Sequence, residues 1–277
     1  MSFAQFLRAT IADDRTGTLT QRKAHMDAPA PSWQRLYADE EFNWIWPPAY
    51  EPNSNPHELE QILSLLEAQP GARILDLACG LGWLTIPMTL GGFQVTGYDL
   101  SAAMLAGAQE SAGQADAHIE WVRGDMRSLP ASWTETFDFV TLTLSEFGCF
   151  QDEADNQRVL TEVARVLNSG GRFLLDIVVN RDELILNGDR NNSFDGGGFL
   201  IADKGSLDLL SGIYTRAFQW YQQGRRHETT WQIRAFTPPE VKRMLEQAGF
   251  RKASAHRNYA GDALTRDSAG MVFLAQK

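Results

Sequence analysis

The chain has 277 residues, 43% of them hydrophobic, enough for a sizeable core and too many for wholesale disorder. Its 25 Lys and Arg against 35 Asp and Glu leave a formal net charge of −10, which argues against nonspecific nucleic-acid binding. Two cysteines, Cys79 and Cys149, give no disulfide framework, the five histidines show no metal-ligand spacing, and no segment reads as a signal peptide or membrane span. The expectation is a soluble, cytoplasmic, metal-free protein.

Residues 1–57 are polar at first and then aromatic, with Trp33, Tyr37, Phe42, Trp44, Trp46 and Tyr50 among prolines that break any long helix. They read as a cap segment, with Tyr37 and Trp44 on its substrate side; a helix simply packed on the domain is the alternative. "HELEQILSLLEAQP" then places Leu59, Ile62, Leu63 and Leu66 at helical spacing, stopped by Pro70-Gly71.

From 58 to 181 strands and helices alternate. "ARILDLA", "QVTGYDL", "IEWVRGD", "FDFVTLTL" and "RFLLDIVV" are strands. "GWLTIPMTLGG", "SAAMLAGAQESAGQ" with Ser101 as N-cap, and "DEADNQRVLTEVARVLNSGG" are helices. This rhythm predicts a doubly wound α/β fold with helices on both faces of a mostly parallel sheet.

The rhythm fails over 182–236. Two long β-leaning runs, "SLDLLSGIYTRAFQWY" and "RRHETTWQIRAF", flank Gly224 and predict a hairpin within an antiparallel insertion. Alternation puts Tyr214, Arg216, Phe218 and Trp220 on one face. With Phe199, Tyr221, Trp231 and Phe236 they suit a substrate cover, Trp220 in its wall, or else a dimer interface. Residues 237–277 return to the core with a helix, Thr237 as N-cap and Pro238 at its first position, and two last strands.

The stretch "ILDLACGLGW" ends the first strand in a bare turn. In an open parallel sheet a ligand sits beyond the strand tips, where side chains would keep it from backbone amides and the helix N-terminus. Asp99 ends the second strand, where a carboxylate can accept both hydroxyls of a ribose; a helix cap is the plainer reading, but Ser101 already fills that role. Asp125, in "RGDM" after the third strand, can accept from an exocyclic base amine, with Met126 on the base; an ordinary exposed acid is the plainer reading. Nicotinamide cofactors bind similar folds, but their fingerprint wants a third glycine where Thr85 stands.

The joined pattern D-x-A-x-G-x-G, "YDLS" and "GDM" resembles the class I S-adenosylmethionine-dependent methyltransferases over residues 58–180. "LSEFGCFQDEADNQRVLTEVARVLNSGGRFLLDIVVNRDEL" and the last hairpin look like a small-molecule-type subgroup. Ser145, Glu146, Cys149 and Ser169 depart from that subgroup's usual residues, so its substrates are not carried over. The resemblance implies a Rossmann-like seven-stranded sheet and S-adenosylmethionine as cofactor, leaving S-adenosylhomocysteine. It places Gly80 and Gly82, with Ala78 for the usual first glycine in a slightly wider turn, at the methionine part. It places Asp76 at the amino group, Asp99 at the ribose, and Leu100, Asp125 and Met126 at the adenine. The backbone of Leu144 falls near the sulfonium.

Methyl transfer from a sulfonium needs alignment, exclusion of water and, for a hydroxyl or ammonium acceptor, a base. Glu146, past the fourth strand, is the candidate base, with a loop or capping acid as the plainer reading. Phe147 reads as a wall, of the substrate pocket or else of the core. Arg181 either meets an anionic substrate or pairs with Asp182 or another acid. The partner expected is a small-molecule acceptor, with no nucleic acid or membrane, and the chain is expected as a monomer or homodimer. A cofactor-retaining cyclase or isomerase, a tRNA or protein methyltransferase, and a nonenzymatic sensor are the competing functions.

Overall fold

The computed structural model describes residues 56–143, 147–195, 200–222 and 224–277. In chain order they form α1 (Pro56–Leu66), β1 (Arg73–Leu77), α2 (Thr85–Leu90), β2 (Gln94–Asp99), α3 (Ala102–Gln114), β3 (Glu120–Arg123), β4 (Phe137–Leu142), α4 (Glu153–Val166) and β5 (Leu167–Ile177). There follow α5 (Arg181–Asn187), β6 (Arg190–Asp195), β7 (Leu200–Leu207), β8 (Ile213–Gln222), β9 (Arg225–Arg234), α6 (Pro238–Ala248), β10 (Lys252–His256) and β11 (Met271–Gln276). No described helix is long and apolar enough to cross a membrane.

Seven strands form one sheet in the order β10-β11-β5-β4-β1-β2-β3. β1 to β5 pair in parallel, and β11 is antiparallel to both β5 and β10. The chain order reverses beside β1, so the strand tips around β1, β2 and β4 form the crevice where an α/β sheet takes ligands. Alternate residues of each strand serve the two faces. Ile74, Val95, Leu174 and Val272 pack under α1 and α2, with Ile62, Leu66, Leu84 and Met88. Leu75, Leu77, Val140 and Phe173 pack under α4 and α6, with Val159, Val163, Val241 and Leu245. Fully burying one such side chain stabilises the fold by about 1.5–3 kcal/mol.

Helix starts follow the sequence. Ser101 caps α3, its Oγ accepting from the Met104 N–H at 3.3 Å. Thr237 and Glu240 form a capping box on α6, which carries proline in its first turn. Two boundaries move. α2 begins at Thr85 rather than at the glycine loop, and β5 begins at Leu167, running through Gly170 at φ +79, where the helix pattern had been extended.

The insertion is a separate four-stranded antiparallel sheet, β6-β7-β8-β9. β8 and β9 are joined around Gly224, at φ +75. Period-two alternation holds on β8: Tyr214, Phe218 and Trp220 are buried, whereas Gln219 and Tyr221 are exposed. With Ile201, Trp231 and Ile233 they form a core of their own, closed by Val179 and by Leu184 of α5. Two features differ from expectation. The run from Ser206 is broken at Asp208–Gly212, where Asp208 Oδ1 accepts from the Leu210 N–H at 2.9 Å and Gly212 adopts φ +71. Helix α5 is new: Asn180 caps it by accepting from the Asp182 N–H at 3.1 Å.

Candidate cofactor site

β1 carries Asp76 into the interior, where it is 2% exposed. Thr85 Oγ1 donates to its Oδ2 at 2.5 Å and Thr141 Oγ1 to its Oδ1 at 2.9 Å. Thr85 opens α2, and the parallel register of β1 with β4 sets Thr141 directly beside Asp76. Burial pushes the Asp76 carboxyl up to about 6, with the Asp99 charge adding to the rise and the two hydroxyls opposing it. No cation among the described residues contributes.

Beyond β1 the backbone turns through left-handed conformations at Ala78 (φ +55), Gly80 (φ +53) and Gly82 (φ +79). The turn is therefore not widened to suit Ala78, as the sequence had suggested; Ala78 takes up the conformation that favours glycine. The two glycines are bare for different reasons. A Cβ on Gly80 would meet nothing within 4 Å, whereas one on Gly82 would stand 2.8 Å from Trp121 Cη2 of β3. Gly80 leaves the crevice side open; Gly82 makes room for a tryptophan.

Asp99 ties this loop to the next. Its Oδ2 accepts from the Gly80 N–H at 2.9 Å and its Oδ1 from the Ser101 N–H at 2.7 Å. Burial raises its carboxyl, opposed by these amides. Leu100, beside it, is 38% exposed. The Gly124 N–H donates to the Asp99 carbonyl at 3.0 Å, which joins the tips of β2 and β3. Tyr98 Oη then donates to the Asp125 carbonyl at 3.2 Å.

Asp125 has a partner that the sequence reading missed. Arg127 grips its carboxylate, with Nη2 at 2.6 Å from Oδ2, and its Nη1 reaches Asp155 Oδ2 at 2.7 Å. The same guanidinium lies 4.5 Å from the centre of the Phe150 ring. Burial works to raise the Asp125 carboxyl, but Arg127 more than offsets it and holds the group below its usual range. Met126 packs half-buried on the main core.

The crevice thus brings together Asp76, Ala78, Gly80, Gly82, Asp99, Leu100, Asp125 and Met126. Leu144 and Glu146 lie outside the described residues, as do Tyr37, Trp44, Phe199 and the rest of the Trp33–Tyr50 cluster. Phe147 is fully buried in the core, its ring 5.3 Å from that of Phe236. Arg181 pairs with Glu240 at 2.8 Å, the "another acid" of the sequence reading, and braces α5 against α6. Trp220 is buried in the core of the insertion, its ring 5.2 Å from His227. Neither Arg181 nor Trp220 joins the cluster at the tips of β1, β2 and β3.

Asn156, also missed, is fully buried and clamps the loop after β4: the Gly148 N–H donates to its Oδ1 at 3.0 Å, and its Nδ2 donates to the Phe150 carbonyl at 2.7 Å. That loop also meets the insertion, since the Arg234 N–H donates to the Gly148 carbonyl at 2.7 Å. At the tip of β5, Tyr259 Oη donates to Asp176 Oδ2 at 2.8 Å.

A family model described as a methyltransferase domain matches residues 74–171, the span that holds Asp76, the loop glycines, Asp99 and Asp125. The chain carries a methyltransferase domain of the S-adenosylmethionine-dependent kind. It is 29% identical to the Bacillus subtilis protein YqeM over 214 residues, 74% of this chain and 84% of that one. It is 26% identical to the glycine/sarcosine N-methyltransferase of Aphanothece halophytica over 222 residues, 79% of this chain and 82% of the relative. Among solved structures, an S-adenosylmethionine-dependent methyltransferase from Clostridium acetobutylicum superposes with a TM-score of 0.69 at 17% identity. That superposition covers 88% of this methyltransferase and 95% of the other, and shows the shared fold.

Proposed function

We propose that this methyltransferase moves a methyl group from S-adenosylmethionine to a small-molecule acceptor, with the cofactor lying across the tips of β1, β2 and β3. The observation that carries the placement is the pair of acids at the glycine loop. Asp76 is a buried anion with only neutral donors, which suits the ammonium of the cofactor's amino-acid end. Asp99 retains acceptor capacity beyond the amides of Gly80, Leu100 and Ser101, which suits ribose hydroxyls. The open side of Gly80 admits the methionine chain against bare backbone. Leu100 and Met126 offer apolar contact to adenine, and Asp125, both of whose oxygens Arg127 engages, is the proposed acceptor for its exocyclic amine.

Bound, the cofactor supplies an electrophilic methyl group on a positively charged sulfur. The protein's part is to align the acceptor with it and to exclude water. Leu144 and Glu146 come directly after β4 in the chain, and Glu146 is the proposed acceptor-side base. The segments proposed as cover are 1–57 and the 182–236 sheet, which is hooked to the loop after β4 through Gly148 and Arg234. A small acceptor agrees with the net charge of −10, which disfavours tRNA, and with the relative named for glycine and sarcosine. A cytoplasmic monomer or homodimer completes the reading.

The test is methyl-labelled S-adenosylmethionine incubated with the protein and a fractionated cell extract. Label in the low-mass fraction is expected. Label confined to the acid-precipitable fraction would assign the activity to a macromolecule. Glu146→Gln should lower turnover far more than cofactor affinity; equal activity would move the base elsewhere.

A further inference from the structure

We propose that Thr85 and Thr141 are positioning residues for the cofactor, two hydroxyls that hold the Asp76 carboxylate as the anion its ammonium meets. The inference rests on the placement of the amino-acid end at Asp76.

Thr85 stands where a dinucleotide-binding loop carries its third glycine. Here it is a fully buried side chain, and its hydroxyl is 2.5 Å from Asp76 Oδ2. Thr141 is equally buried, in register with Asp76 on the neighbouring strand, and its hydroxyl is 2.9 Å from Oδ1. One hydroxyl for each carboxylate oxygen fixes the plane of the group, and the Thr85 N–H adds a third donor. A hydroxyl is a neutral donor. It favours the charged form of the acid without neutralising it, so the charge stays available to a ligand. An arginine in the same place would consume it, as Arg127 does at Asp125.

Burial and one neighbouring charge work against ionisation of Asp76. Asp99 faces it from β2 with a like charge. Cys79, in the loop, is a thiol that burial and the two carboxylates keep protonated. Burial, with the Asp99 charge adding to it, puts the Asp76 carboxyl at about 6, close enough to neutrality that losing one hydroxyl carries it toward the protonated form at working pH. A protonated Asp76 cannot pair with an ammonium. Thr85 and Thr141 therefore decide whether the amino-acid end of the cofactor is recognised, although neither need touch it.

The test compares two ligands that share the adenosine part. S-Adenosylhomocysteine carries the amino-acid end; 5′-methylthioadenosine lacks it. Calorimetry is run on the parent, Thr85→Val, Thr141→Val and Thr85→Ser between about pH 5 and pH 8, a window that brackets the Asp76 carboxyl. The parent should bind S-adenosylhomocysteine with an affinity that is flat at the alkaline end and falls below about pH 6, while methylthioadenosine shows no such fall. Each valine variant should weaken S-adenosylhomocysteine by about ten- to hundredfold at neutral pH, the usual effect of a lost hydrogen bond to a charged group, and start its fall at higher pH. Methylthioadenosine should stay within about twofold, which shows that the site is folded, and Thr85→Ser should restore the parent profile because it keeps the hydroxyl.

Equal weakening of both ligands, or an unchanged S-adenosylhomocysteine profile in the valine variants, would overturn the inference and leave the cofactor placement standing. A parent that binds methylthioadenosine but ignores the amino-acid end would overturn the placement at Asp76, and the inference with it.

Discussion

Buried acids are treated differently in the two sheets. In the insertion, Asp203 is gripped by Arg216, whose Nε lies 3.1 Å from Oδ1, and Glu183 is held by Arg190 and, at 2.8 Å, by Asn187. In the seven-stranded sheet, Asp76 is buried and Asp99 half-buried, with hydroxyls and backbone amides as their only hydrogen-bond partners among the described residues. A buried carboxylate is costly unless its charge is balanced. The insertion balances its charges internally, as a scaffold does. The seven-stranded sheet leaves these two acids at its crevice without a cation among the described residues, and on the proposed placement the balance at Asp76 is supplied by the cofactor's ammonium.

Breaking the internal pair should have the largest effect. Arg216→Met leaves Asp203 buried without its cation and removes the guanidinium from the Phe218 ring, 4.9 Å away. The expected loss of stability is about 3–5 kcal/mol by chemical denaturation, with S-adenosylhomocysteine affinity unchanged in the folded fraction. A neutral result would mean that the pair is no more than a satisfied surface contact.

Asp99→Ala comes next and acts on binding. It removes the acceptor of the Gly80 and Ser101 amides along with the proposed ribose contact. A loss of about 2–4 kcal/mol in S-adenosylhomocysteine binding is expected. Affinity within twofold of the parent would reduce Asp99 to a loop staple.

Asp76→Asn should change stability with the opposite sign to Arg216→Met. The Asp76 carboxyl sits at about 6 in the fold against an ordinary 3.8, so between these values the folded chain holds a proton that the unfolded chain has lost. Its contribution therefore falls as pH rises from about 4 to about 6 and is flat above. The displacement is worth roughly 3 kcal/mol. Subtracting the unfolding free energies of Asp76→Asn and parent across that range isolates the step, and the ligand-free variant should be the more stable protein at neutral pH. A difference that does not vary with pH would show that Asp76 carries no such burden.

The smallest effect belongs to Arg127→Ala. Asp125 is a third exposed, so solvent screens the pair and about 1 kcal/mol of stability is expected to be lost. A double-mutant cycle with Asp125→Asn measures the coupling. A value near zero would place this pair with ordinary surface contacts, outside the contrast.

Most of the parallel sheet was legible because apolar strands, small-residue turns and helix caps agree locally. Ser101 and Thr237 cap as their sequence context implies. What escaped depended on long-range pairing or on short elements. Thr141 lies 65 residues from Asp76 and becomes its donor only once β4 is known to lie beside β1. Helix α5 has seven residues, too few for a periodic signal, and only Asn180 announces it. The glycine of the 208–212 turn was visible, but the apolar residues around it hid the break. The aromatics of β8 were legible as one face; that Trp220 would be buried in a core belonging to the insertion was not, because one strand cannot show what its face packs against. Arg127 is the nearest miss, an arginine two residues after an acid at a strand tip.

The most direct test of the unbalanced crevice is a calorimetric titration of S-adenosylhomocysteine into the parent and into Asp76→Asn at neutral pH. The parent should bind, and the variant should lose about 2 kcal/mol of affinity, roughly thirtyfold, although it unfolds at a higher temperature than the parent when both are ligand-free. Equal affinity in the two proteins would contradict the account, because the buried charge would then serve the fold and not the cofactor.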